Sequence, residues 1–365
     1  MEMTTDEKYM RRCLQLARNG CYGAAPNPMV GAVLVCDGKV VGEGYHARCG
    51  EAHAEVNAIR SVGDESLLRR CTLYVSLEPC AHYGKTPPCA DLIVAKGIPR
   101  VVVGCGDPFA RVAGRGIRKL REAGIEVTVG VLEAECVALN RRFMTFQADR
   151  RPYVTLKWAE SADGFMDSAR KAPEEPPYVF STPFTQMLVH RLRARHQAIM
   201  VGTGTALADN PALTNRLWAG PSPLRVVADP HGRLPRTLRL FDGSRPTLAF
   251  IGREADPVPY EGLPGVTVVR VDFSCGGGLE EILARLHALS VQSLLVEGGR
   301  RLLESFMAGG WFDEVIVEQS PVCLRGGVRA PGKPGGRQTV ESADGHTVCH
   351  IFPGGRMPLW ERLRS

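Results

Sequence analysis

The chain has 365 residues, too many for one ordinary domain and suited to two. Its hydrophobic content of 44% supports buried cores, no apolar run approaches the ~20 residues that span a bilayer, and twelve scattered cysteines behind a polar, acidic N-terminus predict reduced thiols in a cytoplasmic protein, not a secreted disulfide framework. The net charge of +6 is spread evenly, 20 Lys+Arg against 17 Asp+Glu up to Arg150 and 25 against 22 beyond it, which leaves no basic block for a nucleic acid; local arginines are enough for a phosphorylated small molecule.

Between Lys8 and Asn19 the apolar residues Tyr9, Cys13, Leu14, Leu16 and Ala17 have near-helical spacing, and Gly20 ends the pattern. Val30 to Cys36 and Val40 to Gly44 are β-branched runs joined by Asp37-Gly38, a strong hairpin signal. Helices are then predicted over His53 to Val62, Cys89 to Lys96 and Gly116 to Ala123, with strands over Thr72 to Ser76, Arg100 to Gly104 and Ile125 to Val129. This alternation predicts an α/β sandwich whose ligands sit where strand ends feed helix starts.

Within that frame His53-Ala54-Glu55 is followed by Glu78-Pro79-Cys80 and by Cys89. The first part is the HxE…PC signature of zinc deaminases, with the second cysteine further downstream than in PCxxC. His53, Cys80 and Cys89 supply three zinc ligands and leave a fourth position for a water, whose pKa the metal lowers to about 7. Glu55, on the first turn of a helix, then carries the proton from that water to departing ammonia. A structural zinc site is the competing reading; it needs a fourth ligand, for which Cys49 and His82 are nearest, and it gives Glu55 no role.

The polar, Pro-marked junction Ala148-Asp149-Arg150-Arg151-Pro152 divides the chain into 1–148 and 149–365. Beyond it strands are predicted over Val154 to Trp158, Ala198 to Val201, Leu224 to Asp229, Thr247 to Ile251, Val266 to Val271, Ser293 to Val296 and Glu314 to Glu318. Helices are predicted over Pro183 to His196, Leu279 to Leu289 and Arg300 to Ala308, and Pro321 to Arg337 reads as a loop rich in Gly, Pro and Arg. Gly202-Thr203-Gly204-Thr205 lacks the third glycine of a Rossmann fingerprint. Val296-Glu297-Gly298-Gly299-Arg300 is more informative, a strand running through a double glycine into a helix, a turn that admits a phosphate. Thr203 to Arg216, TGTALADNPALTNR, is a loop-like stretch with an acid and an arginine suited to phosphate; a plain surface loop accounts for it equally.

HAE, the run to TPPC, Gly106-Asp107-Pro108 with Val112 to Ile117, and Pro26 to Val35 make the first half similar to the bifunctional riboflavin-biosynthesis deaminase/reductases. Leu156 to Gly164, TALADNPALTNR and VEGGRRL extend the resemblance over nearly the whole chain. It implies a cytidine-deaminase-like α/β/α sandwich followed by a dihydrofolate-reductase-like α/β domain. It also implies hydrolytic deamination of a diaminopyrimidine bearing a phosphoribosylamino group, then NADPH reduction of its ribosyl chain to ribityl. By resemblance zinc is held at His53, Cys80 and Cys89, with Glu55 as proton shuttle and Asn27, His46, His82, Lys85 and Asp107 as substrate contacts. In the second domain Arg193, Leu213, Arg216 and Glu297 line the substrate, while Ala159, Thr205, Asp209 and Gly299 face NADPH. Lys157 and Glu297 are the candidates to assist proton transfer, each with an ordinary buried polar role as its alternative. Ala169 to Tyr178, ARKAPEEPPY, stands where that family carries a stretch resembling GES followed by Trp, Ile and Thr, so two contacts do not transfer. Pro321 to Arg337 lacks that family's APxLLGG pattern as well.

A homo-oligomer is expected, with no membrane or nucleic-acid partner. Three rivals stand beside this reading: a nucleic-acid or nucleoside deaminase with an appendage, a scaffold closed around structural zinc, and a zinc deaminase whose C-terminal domain binds ligand without reducing it.

Overall fold

The computed structural model describes residues 3–81, 87–108, 114–170, 172, 175–274 and 278–354. They form two compact units, the first up to Asp149 and the second from Arg150.

The first unit runs α1 (Thr5–Ala17), β1 (Gly31–Cys36), β2 (Lys39–Tyr45), α2 (Ala54–Arg60), β3 (Thr72–Leu77), α3 (Cys89–Lys96), β4 (Arg100–Cys105), α4 (Arg115–Glu122), β5 (Glu126–Val129), α5 (Glu133–Leu139) and α6 (Arg141–Asp149). Helix α1 starts at a capping box, Thr4 accepting from Glu7 N–H while the Glu7 carboxylate takes Thr4 N–H, and it buries Tyr9, Met10, Cys13, Leu14 and Ala17. Asp37 and Gly38 turn the β1–β2 hairpin with φ of 50° and 73°, so Cys36 pairs with Lys39. The sheet order is β2-β1-β3-β4-β5, antiparallel around β1 and parallel from β3 onward. Alternate residues of β1 enter different cores. Ala32 and Leu34 pack with Ala54, Ala58 and Ile93 on one side, and Val33 and Val35 pack with Met10, Leu14 and Met144 on the other. The result is the predicted α/β/α sandwich. Helix α2 lies unusually close to β2, because a Cβ on Gly44 would stand 2.4 Å from Ala58 N and one on Gly42 2.6 Å from Ala58 O. Only glycine permits that approach, and it sets where the N-terminus of α2 ends up.

The second unit runs β6 (Tyr153–Glu160), β7 (Phe165–Asp167), α7 (Pro183–Ala194), β8 (Ala198–Gly202), α8 (Thr203–Asp209), β9 (Leu224–Asp229), β10 (Thr247–Gly252), β11 (Val266–Val271), α9 (Leu279–Ala288), β12 (Ser293–Val296), α10 (Arg300–Ala308), β13 (Glu314–Gln319), β14 (Val328–Arg329), β15 (Gly336–Ala343) and β16 (His346–Pro353). Its nine-stranded sheet has the order β11-β10-β9-β8-β12-β6-β13-β16-β15, and β7 pairs with β14 separately. The seven strands from β11 to β13 are parallel; β16 and β15 close the edge antiparallel. One face carries Leu156, Trp158 and Leu294 against α9 and α10; the other carries Ile199, Val227 and Leu295 against Ala206, Leu240 and Tyr260. Two expectations are corrected. Thr203 to Asp209, read as part of a loop, is helix α8, and the segment from Pro321 to Arg337 contains β14 and the start of β15.

Candidate active sites

In the first unit the strand ends and helix starts bring three ligand atoms together. His53 is the N-cap of α2, Cys80 lies three residues beyond β3, and Cys89 opens α3. His53 Nδ1 is 3.3 Å from Cys89 Sγ and 3.6 Å from Cys80 Sγ. These are, among the described residues, the one group of three or more His, Cys, Asp or Glu side chains whose ligand atoms all fall within 4.8 Å. A neutral imidazole nitrogen and two thiols converging this way form the donor set zinc selects. The Cys80 thiol accepts from the Cys89 thiol, from His53 and from the Cys89 N–H, which pulls it well below the ordinary thiol value; Cys89, donating to Cys80 and buried, is pushed up. Hydrogen bonding to Cys80 in turn raises His53.

Glu55 is 3% exposed on the first turn of α2. Burial, reinforced by the negative Cys80, pushes its carboxyl up to about 7. A carboxyl poised there can both take and give a proton near neutral pH. His46 is buried with its ring edge-on to His53, centroids 5.3 Å apart. Its Nδ1 faces the Ala52 carbonyl at 3.1 Å and so carries the hydrogen, leaving Nε2 to accept from Asn27 Nδ2 at 3.0 Å. Burial also lowers the His46 pKa, in keeping with a neutral ring. Asn27 and His46 are thus gathered beside the metal ligands. Asp107 follows β4, its N–H held by Glu78 Oε2 at 3.3 Å. His82 and Lys85 lie outside the described residues.

In the second unit β8 and β12 are neighbours, but the chain leaves β8 toward β9 on one side and β12 toward β13 on the other. Such a switch point opens a crevice at the carboxyl ends of the strands. There a Cβ on Gly299, the N-cap of α10, would stand 2.9 Å from Thr205 Oγ1, so the two cofactor candidates face each other. Asp209 is four residues on from Thr205 and shares its helix face. Lys157 and Ala159 alternate with the buried Trp158 and are both partly exposed.

Glu297, directly after β12, takes Arg193 Nε and Nη2 at 3.1 and 2.6 Å. Burial alone would raise its carboxyl, but Arg193 outweighs burial and holds it below its ordinary value. Arg193 and Arg216 meet at Thr214, Arg193 Nη1 on its carbonyl at 3.1 Å and Arg216 Nη1 on its hydroxyl at 2.8 Å. Burial, with Arg193 and Arg239 as neighbouring cations, pulls Arg216 down, a crowding of positive charge that an anion relieves. Leu213 is 2% exposed and belongs to the core, so it is placed as a packing residue of the second unit. Lys157 Nζ is 3.6 Å from Glu318 Oε2, which also meets Ser181 Oγ at 2.7 Å while Oε1 meets His346 Nδ1 at 2.9 Å.

Sequence reasoning passed over Glu78, Glu318 and His190, whose Nδ1 accepts Arg216 N–H at 2.9 Å. Glu78 alone had a signal, its place beside the PC motif.

Residues 3–105 match the family model of the cytidine and deoxycytidylate deaminase zinc-binding region, and residues 152–349 match that of the RibD C-terminal domain. The chain is 38% identical to the riboflavin biosynthesis protein RibD of Aquifex aeolicus over 88% of this chain and 89% of that one. It is 42% identical to that of Bacillus amyloliquefaciens over 89% and 87%. Among solved structures, a diaminohydroxyphosphoribosylaminopyrimidine deaminase/5-amino-6-(5-phosphoribosylamino)uracil reductase from Thermotoga maritima superposes with a TM-score of 0.84 at 36% identity, over 95% of this chain and 98% of that one. Acinetobacter baumannii RibD does so with 0.84 at 32% identity, over 97% and 100%.

Proposed function

The chain belongs to the RibD family, and from that premise we propose how its residues divide two reactions of riboflavin biosynthesis. It is a bifunctional enzyme, a zinc-dependent deaminase joined to an NADPH-dependent reductase, on a cytidine-deaminase-like and a dihydrofolate-reductase-like unit. The family-model match over 152–349 favours the reductase over a C-terminal unit that only binds ligand.

The substrate we assign is 2,5-diamino-6-(5-phosphoribosylamino)pyrimidin-4-one. His53, Cys80 and Cys89 hold zinc, which when bound supplies an acidified water and Lewis acidity. Asn27, fixed through Nδ2 on neutral His46, has its Oδ1 left to accept a ring N–H. Glu55 takes one proton from the water as its oxygen joins the ring carbon and gives it to the adjacent ring nitrogen; it then takes the second from the new hydroxyl and gives it to the amino group, leaving a carbonyl on the ring. The C–N bond breaks and ammonia leaves. Nucleic-acid deamination lacks support, since the charge excess is even along the chain.

In the second unit NADPH, when bound, would supply a hydride to C1 of the ribosyl chain once its bond to the ring oxygen has opened. Arg193, Arg216 and Glu297 hold the phosphoribosyl substrate, Lys157 gives the balancing proton, and Ala159, Thr205, Asp209 and Gly299 line the cofactor. Among the described residues no helix is long and apolar enough to cross a membrane, and the eleven described cysteines are unpaired. We further propose that the enzyme acts in the cytoplasm as a homo-oligomer. The observation that carries the assignment is the His53, Cys80 and Cys89 triad with buried Glu55 beside it. The test follows ammonia and NADPH absorbance together on the purified chain with this substrate. Both signals are expected; ammonia without NADPH oxidation would remove the second assignment, and neither would leave a structural zinc protein.

A further inference from the structure

A single guanidinium ties the segment after β7 to helix α8. Asp167, the last residue of β7, accepts through Oδ1 the N–H of Ser168 at 2.9 Å and of Tyr178 at 2.8 Å, so one carboxylate draws the two ends of the excursion together. Its Oδ2 meets Arg170 Nε at 2.8 Å and Nη2 at 2.6 Å. Arg170 then spans to α8, giving Nη1 to the Ala208 carbonyl at 2.8 Å and Nη2 to Asp209 Oδ1 at 2.5 Å. The Arg170 side chain is 15% exposed, as is that of Asp167, and that of Asp209 is 29% exposed.

Physically this is a helix C-terminus corrected from outside. The last carbonyls of α8 have no partner within the helix, and an acid in a last turn is opposed by the helix dipole. Asp209 sits in that unfavourable place, on the face that carries Thr205 and looks toward Gly299. Arg170 satisfies the Ala208 carbonyl and neutralises Asp209 together.

We infer that Arg170 is a positioning residue of the reductase, holding the Asp209 carboxylate in its place on the NADPH-facing side of α8. The inference rests on the reading of the second unit as an NADPH reductase. Without Arg170, Asp167 and Asp209 become two uncompensated, half-buried carboxylates beside a site that must admit an anionic dinucleotide, and Asp209 is free to swing.

The test uses the full chain as wild type, Arg170→Ala, Arg170→Lys, Asp209→Asn and the Arg170→Ala/Asp209→Asn double variant. NADPH binding is read by its fluorescence, turnover with the deaminated intermediate by absorbance, and ammonia release as the control on the other unit. Arg170→Ala is expected to raise the NADPH Kd and KM about tenfold with a smaller change in kcat, and Arg170→Lys, which keeps charge without the fork, to recover part of it. On the Asp209→Asn background, loss of Arg170 is expected to change NADPH binding less than about twofold, because its effect passes through Asp209. Ammonia release stays at the wild-type rate. Unchanged NADPH parameters in Arg170→Ala, or an undiminished effect on the Asp209→Asn background, overturn the inference; should Arg170→Ala not fold, Arg170→Lys decides by the same NADPH parameters. A wild type that binds and oxidises no NADPH overturns the reductase assignment itself, and this inference with it.

Discussion

Glu78 accepts the backbone N–H of Gly116 at 2.9 Å, and the same carboxylate takes those of Gly114 at 3.0 Å and of Asp107 and Ile117 at 3.3 Å. It is 4% exposed and has no paired cation among the described residues, so backbone dipoles and the N-terminus of α4 balance its charge. Cys80 follows two residues later. Glu78 therefore joins a zinc ligand to the loop that carries Asp107.

Replacing that carboxylate by an amide puts an N–H2 against backbone donors. Glu78→Gln is expected to lower the stability of the first unit by about 2–3 kcal/mol. Ammonia release should fall by about tenfold or more with zinc stoichiometry preserved, since the loop shifts while the three ligands remain. Denaturant unfolding, metal content and an ammonia assay on the one preparation check this. A folded variant with wild-type ammonia release would show that the Glu78 staple does not position the substrate loop.

Glu55 is predicted to be separable from the metal. Glu55→Gln keeps the shape of the buried side chain and removes its proton transfer, so ammonia release should drop by about 10²–10⁴-fold. Zinc content should be unaltered, and NADPH oxidation with already deaminated substrate should continue at the wild-type rate. Chelation of the wild type should abolish the first reaction and spare the second. Retained deamination in Glu55→Gln would remove Glu55 from the mechanism.

Much of this architecture was legible where local chemistry and tertiary packing agree. Asp37-Gly38 announces its hairpin because both residues tolerate the positive φ that the turn uses, and α3 begins and ends at the predicted residues, Cys89 and Lys96. The β15–β16 hairpin escaped despite Asp344-Gly345, with φ of 52° and 79°, because β15 is an edge strand with seven of eight residues exposed and shows no apolar alternation. Helix α8 escaped because seven residues starting TGT and ending before the left-handed Asn210 give too short a period to detect; packing of Ala206 in the core holds it. The metal triad could be read because ligand identity and spacing are chemical. Arg170 could not, since its partners lie 3 and 39 residues away and only the fold brings them together.

Arg216 is predicted to matter for the second reaction alone. Among the described residues its head has one polar side-chain partner, the Thr214 hydroxyl, while Arg193 beside it is already engaged by Glu297. Arg216 is thus the cation most available to a phosphate, and a charge-assisted contact of that kind is worth about 1.5–3 kcal/mol. Arg216→Ala should raise the KM of the deaminated intermediate by about 10–100-fold. The NADPH Kd and ammonia release should stay unchanged. Reductase kinetics equal to wild type would strike Arg216 from the substrate site.

Arg100 gives Nη1 and Nη2 to the two oxygens of Asp6 at 3.2 and 2.8 Å, and Tyr74 adds its hydroxyl at 2.8 Å. The Arg100 hydrogen bonds hold Asp6 below the ordinary carboxylate value, against burial, which opposes them. A carboxyl depressed in the folded state stabilises above its unfolded pKa of about 3.9, and the contribution disappears as pH falls through the lower folded value. Both side chains are about three-quarters buried, so Asp6→Asn is expected to cost about 1–2 kcal/mol at pH 7. Urea unfolding of the first unit measures it. The gap between wild type and Asp6→Asn should stay constant from pH 7 to about pH 5 and close in stronger acid. A gap that persists undiminished at the acid end would assign the stability to shape and not to the ion pair.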